Sequence, residues 1–118
     1  MGPQTVSPTA QAWEAAVAAE RAAHVAMDRY HRLIVQPLNR AYEAGTATRA
    51  DVSQAEDRWG PYLTDHLRAV DDVIATPAPD LAAVIRKLEV GLSTAVFGYE
   101  GQHELRIITD DIRRLAGR

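Results

Sequence analysis

The chain has no cysteine among its 118 residues, a single lysine and only seven aromatic side chains. Without cysteine it forms neither a disulfide nor a thiolate zinc site, and this absence fits a reducing compartment. Its apolar runs all fall short of the roughly 20 residues that a membrane-spanning helix needs. Segment 1–8 has neither a basic region nor an apolar stretch. We therefore expect no signal peptide, no membrane partner and a cytoplasmic location.

A surplus of positive charge is also missing. The chain carries 13 basic and 16 acidic residues, for a net charge of −3 at pH 7. Proteins that bind nucleic acid usually concentrate basic residues on one face or in one segment. Because the charges are spread evenly here, the sequence predicts no nucleic-acid partner. Arginine accounts for every basic residue except Lys87. This preference for arginine over lysine is typical of a GC-rich genome.

Alanine dominates what is present. The chain has 21 alanines against 25 valines, isoleucines and leucines together, and nine of the alanines lie between residues 10 and 26. A length near 120 residues suits one domain, and we expect a loose tail at 1–8 followed by a single helical domain at 9–118. Small side chains favour close helix contacts and leave little room for a substrate pocket.

Helical periodicity runs through most of the chain, and sustained strand alternation is absent, so the predicted fold class is all-α. A long first helix follows Ser7 or Thr9, which can cap it, and bends or splits at Pro37. Ala44-Gly45-Thr46 ends it. Its apolar and polar residues form a coiled-coil-like seam with 4-3 spacing. The seam comprises Trp13, Val17, Glu20, His24, Met27, His31, Ile34, Leu38 and Ala41.

Three further helices are predicted. The second covers about 49–75, opens on a capping box at Thr48 and Asp51, and is kinked or briefly broken at Gly60-Pro61. The third covers about 80–96 and the fourth about 102–116, with a turn at 97–101 between them. The resulting architecture is a long kinked antiparallel hairpin plus two shorter helices, a bundle-like arrangement. The residues expected inside are Leu81, Val84, Ile85, Leu88, Leu92 and Val96 on the third helix, and Leu105, Ile108, Ile112 and Leu115 on the fourth.

The segment TPAPDLA, from Thr76 to Ala82, carries a family resemblance together with Trp13 and the closing DIRRL from Asp111 to Leu115. It resembles small uncharacterised all-helical proteins of GC-rich bacterial genomes and prophages. The resemblance implies a helical fold and a mobile-element origin. It brings no activity, cofactor or functional residue. A mobile-element origin would also admit a phage-type inhibitor that occludes a host defence or transcription complex.

Metal binding is the chemistry for which the sequence offers the sharpest pattern. Glu20, His24, Asp28 and His31 lie near one face of the first helix. The spacing Asp28-x-x-His31 resembles the Glu-x-x-His of di-iron helical bundles. A second copy stands at Glu100 and His103, with Glu56 as a further acid. Ordinary pairing of half-buried seam residues explains the same pattern, so we favour no metal site and no cofactor.

Catalytic motifs are absent. The chain has no cysteine nucleophile, no Gly-x-Ser-x-Gly and no phosphate-binding glycine loop. His66 follows Asp65, but adjacent helical residues do not face each other. We therefore expect no enzymatic activity.

The remaining interpretation is an interaction protein. Two long helices cannot be fully covered by two helices of half their length, so either the far end of the hairpin is exposed or a second copy covers it. We favour a second copy that binds through the seam of the long helices. The prediction is a non-catalytic helical protein–protein interaction module that forms a homodimer. A metal-binding helical protein and an inhibitor with a host protein target are the alternatives. The expected interface residues are Trp13, Val17, Met27, Ile34, Trp59 and Tyr62.

Overall fold

The computed structural model describes residues 7–94 and 101–117. These residues form helices and connecting turns, with no strand among them, so the all-α prediction is confirmed. The helices are α1 (Pro8–Tyr30), a π-helical turn (His31–Val35), α2 (Gln36–Glu43), α3 (Arg49–Ala75), α4 (Leu81–Ser93) and α5 (Gln102–Ala116).

The long first helix is confirmed, and it changes type close to Pro37. Ser7 caps its start, because the Ser7 hydroxyl accepts a hydrogen bond of 3.1 Å from the Ala10 amide. Where the π-helical turn ends, the Gln36 amide donates to the carbonyl of His31, five residues earlier in the chain, whereas an α-helix uses the carbonyl four residues earlier. Proline has no amide hydrogen and its ring collides with the carbonyl four residues earlier. The wider turn just before Pro37 relieves that collision, and helix formation continues.

The connection to α3 follows the predicted stop and start signals. Gly45 has a φ of 78°, a left-handed conformation that glycine adopts without a steric penalty. Thr48 and Asp51 form the predicted capping box: the Thr48 amide donates to Asp51 at 3.0 Å, and the Asp51 amide donates to the Thr48 hydroxyl at 3.1 Å. The helix then runs through Pro61 as one element, so of the predicted kink or brief break at Gly60-Pro61 the break is absent.

The second half of the chain begins with a cap at Asp80, whose carboxylate accepts a 2.8 Å hydrogen bond from the Ala83 amide. The fourth predicted helix is confirmed as α5, with the predicted bounds. The C-terminal part of the third predicted helix, including Val96, and residues 97–100 of the predicted turn lie outside the described residues.

By its contacts the chain divides into two compact units: unit 1 is Met1–Ala19 with Ala69–Arg118, and unit 2 is Glu20–Arg68. The core of unit 1 contains two apolar clusters. The first combines residues of α4 and α5 with Trp13 of α1, and the second joins α3 to α4 and α5. The buried members are Ala78, Ala83, Val84 and Ile108 in the first cluster, and Val70, Ile74 and Val90 in the second.

The predicted inward faces of the last two helices are partly wrong. Val84 and Ile108 are buried and Leu88 and Leu115 are half-buried, but Leu81, Ile85 and Leu92 of α4 are exposed, as are Leu105 and Ile112 of α5. Relative to the predicted inward faces, α4 and α5 are rotated about their axes because each buries a charged residue, Lys87 on α4 and Asp111 on α5. These two residues form an ion pair inside unit 1. Apolar residues occur all round α4, so its spacing alone does not fix the buried side.

In unit 2, α1 and α3 run antiparallel. His66 lies beside Glu20, and Trp59 contacts Met27 further along α1 and His31 of the π-helical turn. Tyr30 and Tyr62 stack with 5.1 Å between ring centroids. The antiparallel helical hairpin predicted from sequence is therefore present in this unit. It determines which polar side chains of the two helices meet.

Candidate functional site

Three potential metal ligands meet between α1 and α3 in unit 2. Glu20 and His24 stand one turn apart on α1, and His66 comes from α3. The Oε2 atom of Glu20 lies 3.1 Å from the Nε2 atom of His66. The ring centroids of His24 and His66 are 5.0 Å apart in an edge-to-face arrangement. One carboxylate oxygen and two imidazole nitrogens, one from each residue, all lie within 4.8 Å of one another.

Burial differs sharply within this trio. Glu20 and His66 are buried, at 6% and 4% exposure, whereas His24 is exposed. A buried carboxylate needs hydrogen bonds or a positive partner to offset its lost hydration. The imidazole of His66 provides one such contact. The trio thus combines a fixed, buried pair with a third ligand that solvent can reach.

The structure brings together only part of the predicted metal set. Asp28 is exposed and lies 3.9 Å from Arg32, and the ring of His31 is 4.7 Å from that of Trp59. Glu56 and His103 are exposed, and Glu100 lies outside the described residues. Glu20 and His24 therefore meet neither Asp28 nor His31 as ligands. They meet His66.

His66 is the functional candidate that the sequence analysis missed. Its neighbour in the chain, Asp65, does not face it, so adjacency in the sequence gives no sign of a site. A signal was nevertheless present, because positions 59, 63, 66, 70 and 73 follow the helical spacing of an inward face. A histidine on such a face, opposite a seam with Glu20 and His24, is the pattern that would have identified it.

Unit 1 holds a second polar cluster around Lys87, whose side chain is fully buried. The Lys87 ammonium group donates hydrogen bonds to the Asp111 carboxylate and, at 2.7 Å, to the Ile74 carbonyl. It also lies 5.9 Å from the centre of the Trp13 ring, where the π-electrons attract a cation. Arg114 approaches Asp111 to 3.0 Å from the more exposed side.

Burial and pairing act against each other in this cluster. Burial lowers the pKa of Lys87 below its ordinary value, although the hydrogen bond from Lys87 to Asp111 opposes the shift. Burial by itself would raise the pKa of Asp111. Hydrogen bonds from Lys87, Arg114 and the Ala78 amide outweigh it, so the pKa of Asp111 lies below its ordinary value. The Lys87 ammonium group and both carboxylate oxygens of Asp111 have hydrogen-bond partners within the protein, which indicates a structural role for the cluster.

The predicted interface residues fall into two groups. Trp13 and Val17 are half-buried in unit 1, and Trp13 packs on its core. Met27 and Trp59 are half-buried and contact each other within the chain, since the Trp59 indole donates a 3.0 Å hydrogen bond to the Met27 carbonyl. The second group, Ile34 and Tyr62, is exposed.

Ile34 and Tyr62 line an apolar groove on unit 2, with a volume of about 660 Å³. Val25, Leu33 and Ile34 are among the large apolar side chains left exposed in the described part of the chain. Two arginines lie along the groove, and none of its lining residues in the described part of the chain carries a carboxylate. The lining residues are Arg21, Ala22, Val25, Ala26, Arg29, Tyr30, Leu33, Ile34 and Tyr62.

Comparisons of the chain with models of protein families, with curated proteins and with solved structures find no match. Within the described residues, no helix is both long and apolar enough to cross a membrane. The chain offers two candidate sites by its own chemistry: a carboxylate and two imidazoles between two helices, and an apolar groove bordered by arginines.

Proposed function

We propose that this protein is a non-catalytic helical interaction module that forms a homodimer, with the groove of one copy binding α4 of a second copy. The observation that supports the proposal is the groove itself. Val25 and Leu33 are 62% and 54% exposed, although leucine and valine are among the residues most often buried. Contiguous apolar patches that remain exposed on a folded protein commonly mark interaction surfaces.

The walls of the groove favour a helix as the occupant. Ala22 and Ala26 are one turn apart on α1 and present small side chains. Small residues let the backbone of a second helix approach closely, while Val25, Leu33 and Tyr62 contribute larger contacts. An amphipathic helix that places apolar residues at intervals of three and four positions fits such a groove.

Helix α4 offers such a face. Leu81, Ile85, Glu89 and Leu92 follow the spacing i, i+4, i+8 and i+11, and all four are exposed. Three are large apolar residues, and the fourth is an acid. The groove has the opposite pattern of charge, with Arg21 and Arg29 beside an apolar floor. Pairing Glu89 of one copy with Arg29 of the other satisfies both charges at the rim of an apolar contact.

The first measurement is the molar mass in solution, by sedimentation or light scattering, across a range of micromolar concentrations. We expect a dimer that dissociates on dilution. Val25→Asp in the groove and Leu92→Asp on α4 each place a charge in the apolar contact and should each produce a monomer with unchanged helical circular dichroism. A monomer at every concentration in the unmodified chain would contradict the proposal.

A charge exchange then tests the specific pairing. Arg29→Glu and Glu89→Arg should each weaken the dimer by about tenfold or more, and the double variant should recover most of the affinity. Arg40→Glu and Asp57→Arg are matched controls, because both residues are exposed and neither lines the groove or lies on α4. If the double variant dimerises no better than either single variant, the assignment of α4 as the occupant is wrong.

A further inference from the structure

We propose that Glu20, His24 and His66 bind a divalent transition-metal ion of the Zn²⁺ class, at a site that lies within one chain and is independent of dimer formation. The three residues come from two antiparallel helices whose pairing is also fixed elsewhere, by the Trp59 hydrogen bond and the stacked tyrosines. Their positions therefore do not depend on the binding of an ion. Such preorganisation lowers the cost of assembling a metal site.

The distances suit coordination. Zinc bonds to histidine nitrogen and carboxylate oxygen are about 2.0–2.2 Å long, so the donors of a tetrahedral site stand about 3.3 Å apart. Glu20 and His66 already approach that spacing, at 3.1 Å. The whole trio lies within 4.8 Å. Only His24 has to move appreciably, and it is the exposed member, so its ring can rotate toward the other two.

The chemistry of the donors selects the class of ion. Imidazole nitrogen favours zinc, copper, nickel and iron, whereas magnesium and calcium prefer sites built from oxygen alone. The set of one carboxylate and two neutral imidazoles has a charge of −1, which offsets part of the charge of a dication. Three protein ligands leave at least one coordination position open. Exposure of His24 provides the route by which an ion enters from solvent.

The first test uses the full-length protein after treatment with a chelator. Titration with ZnCl₂ in a calorimeter should give saturable binding of one ion per chain, and titration with MgCl₂ should give none. Cobalt(II) should bind at the same site and give the intense visible absorption of a low-coordinate complex. Addition of ZnCl₂ should then displace the cobalt ion and abolish that absorption. An absence of zinc binding would overturn the proposal, and so would one ion per two chains, because that stoichiometry indicates a site shared between copies.

Variants of the four histidines locate the site. His24→Ala should weaken zinc binding by at least about tenfold, and because His24 is exposed this change leaves the core intact. His31→Ala and His103→Ala remove histidines outside the trio and should change the affinity by less than about twofold. His66→Gln should abolish binding, with circular dichroism reporting whether the helices persist. Equal losses in His24→Ala and His31→Ala, or no loss in His24→Ala, would refute the assignment.

The zinc titration is repeated on Leu92→Asp, the variant designed to be monomeric. Its substitution lies on α4, outside the unit that holds the three ligands. We expect its zinc affinity to equal that of the unmodified chain. Loss of binding in this monomer would overturn the claim that one chain suffices, while leaving the dimer proposal unaffected. Failure of the dimer proposal would likewise leave the zinc result unchanged.

Discussion

At the scale of single residues, this protein buries a charged pair inside unit 1. Lys87 is fully buried and is held by Asp111, the Ile74 carbonyl and the Trp13 ring. Removing one partner of such a pair leaves the other as an unpaired charge in the interior. The cost of removing one partner is therefore much larger than the net stabilisation that the intact pair provides over two apolar side chains of similar size. The cluster therefore makes the fold sensitive to single substitutions.

Lys87→Met should lower the free energy of unfolding by about 3 kcal/mol. This value is at the low end for a broken buried pair, because Arg114 still contacts Asp111. Urea denaturation followed by circular dichroism measures the change. The matched control is Arg32→Met, which removes one partner of the exposed Asp28 pair and should cost less than about 1 kcal/mol. The double variant Lys87→Met/Asp111→Leu should lose less than the sum of the two single variants, and simple additivity would show that the two residues are not coupled.

The residues of the two polar clusters could be predicted only in part from the sequence. The one-turn spacing of Glu20 and His24 on a helical seam can be read directly from the sequence. Their partner His66 depends on how α3 lies against α1, which is set by contacts such as Trp59 to Met27 that are remote in sequence. Lys87 and Asp111 were missed because charged residues are seldom buried, and only a specific partner makes their burial favourable.

At the level of elements, the helix boundaries were the most predictable feature. Ser7, Gly45, the Thr48–Asp51 capping box and Asp80 act locally, through hydrogen bonds to backbone groups within a few residues. Because these signals need no tertiary contacts, they can be recognised in the sequence alone. The rotation of α4 depends instead on tertiary pairing, and there the prediction placed Leu81, Ile85 and Leu92 on the wrong side.

Thr48→Ala tests the contribution of one boundary. The change removes the hydroxyl that accepts from the Asp51 amide, and losing a helix cap of this kind costs about 1 kcal/mol. The control is Thr64→Ala, an exposed position inside the same helix, where alanine is the better helix former and the expected change is neutral or slightly stabilising. Urea denaturation compares the two variants. Equal effects from both would mean that the capping box contributes nothing measurable to the stability of α3.

Pro37 and Pro61 show how far local rules extend. Both prolines interrupt the hydrogen bonding of a helix, and the sequence predicts a bend or a break at each. The backbone meets Pro37 with a π-helical turn and continues through Pro61 within α3. A proline therefore identifies where a helix is perturbed, while packing of the flanking segments determines whether the helix ends.

For the whole molecule, the central question is whether its two units unfold together. The borders between them fall between Ala19 and Glu20 and between Arg68 and Ala69. These positions lie inside α1 and α3. Ending a helix in its interior exposes backbone groups and forfeits the hydrogen bonds of a turn, so helical continuity favours cooperative unfolding. Each unit contains one tryptophan, Trp13 in unit 1 and Trp59 in unit 2.

We expect a single cooperative transition. In Trp13→Phe the fluorescence of Trp59 reports on unit 2, and in Trp59→Phe the fluorescence of Trp13 reports on unit 1. Within each variant, the fluorescence and circular dichroism transitions in urea should coincide.

Adding Lys87→Met to Trp13→Phe is the stricter test, because the substitution lies in unit 1 and the reporter in unit 2. The midpoint of the Trp59 transition should fall by the same amount as the midpoint seen by circular dichroism, whereas an unchanged Trp59 midpoint would mean that the units unfold independently. Arg32→Met in the same background is the control, since it should leave both midpoints nearly unchanged.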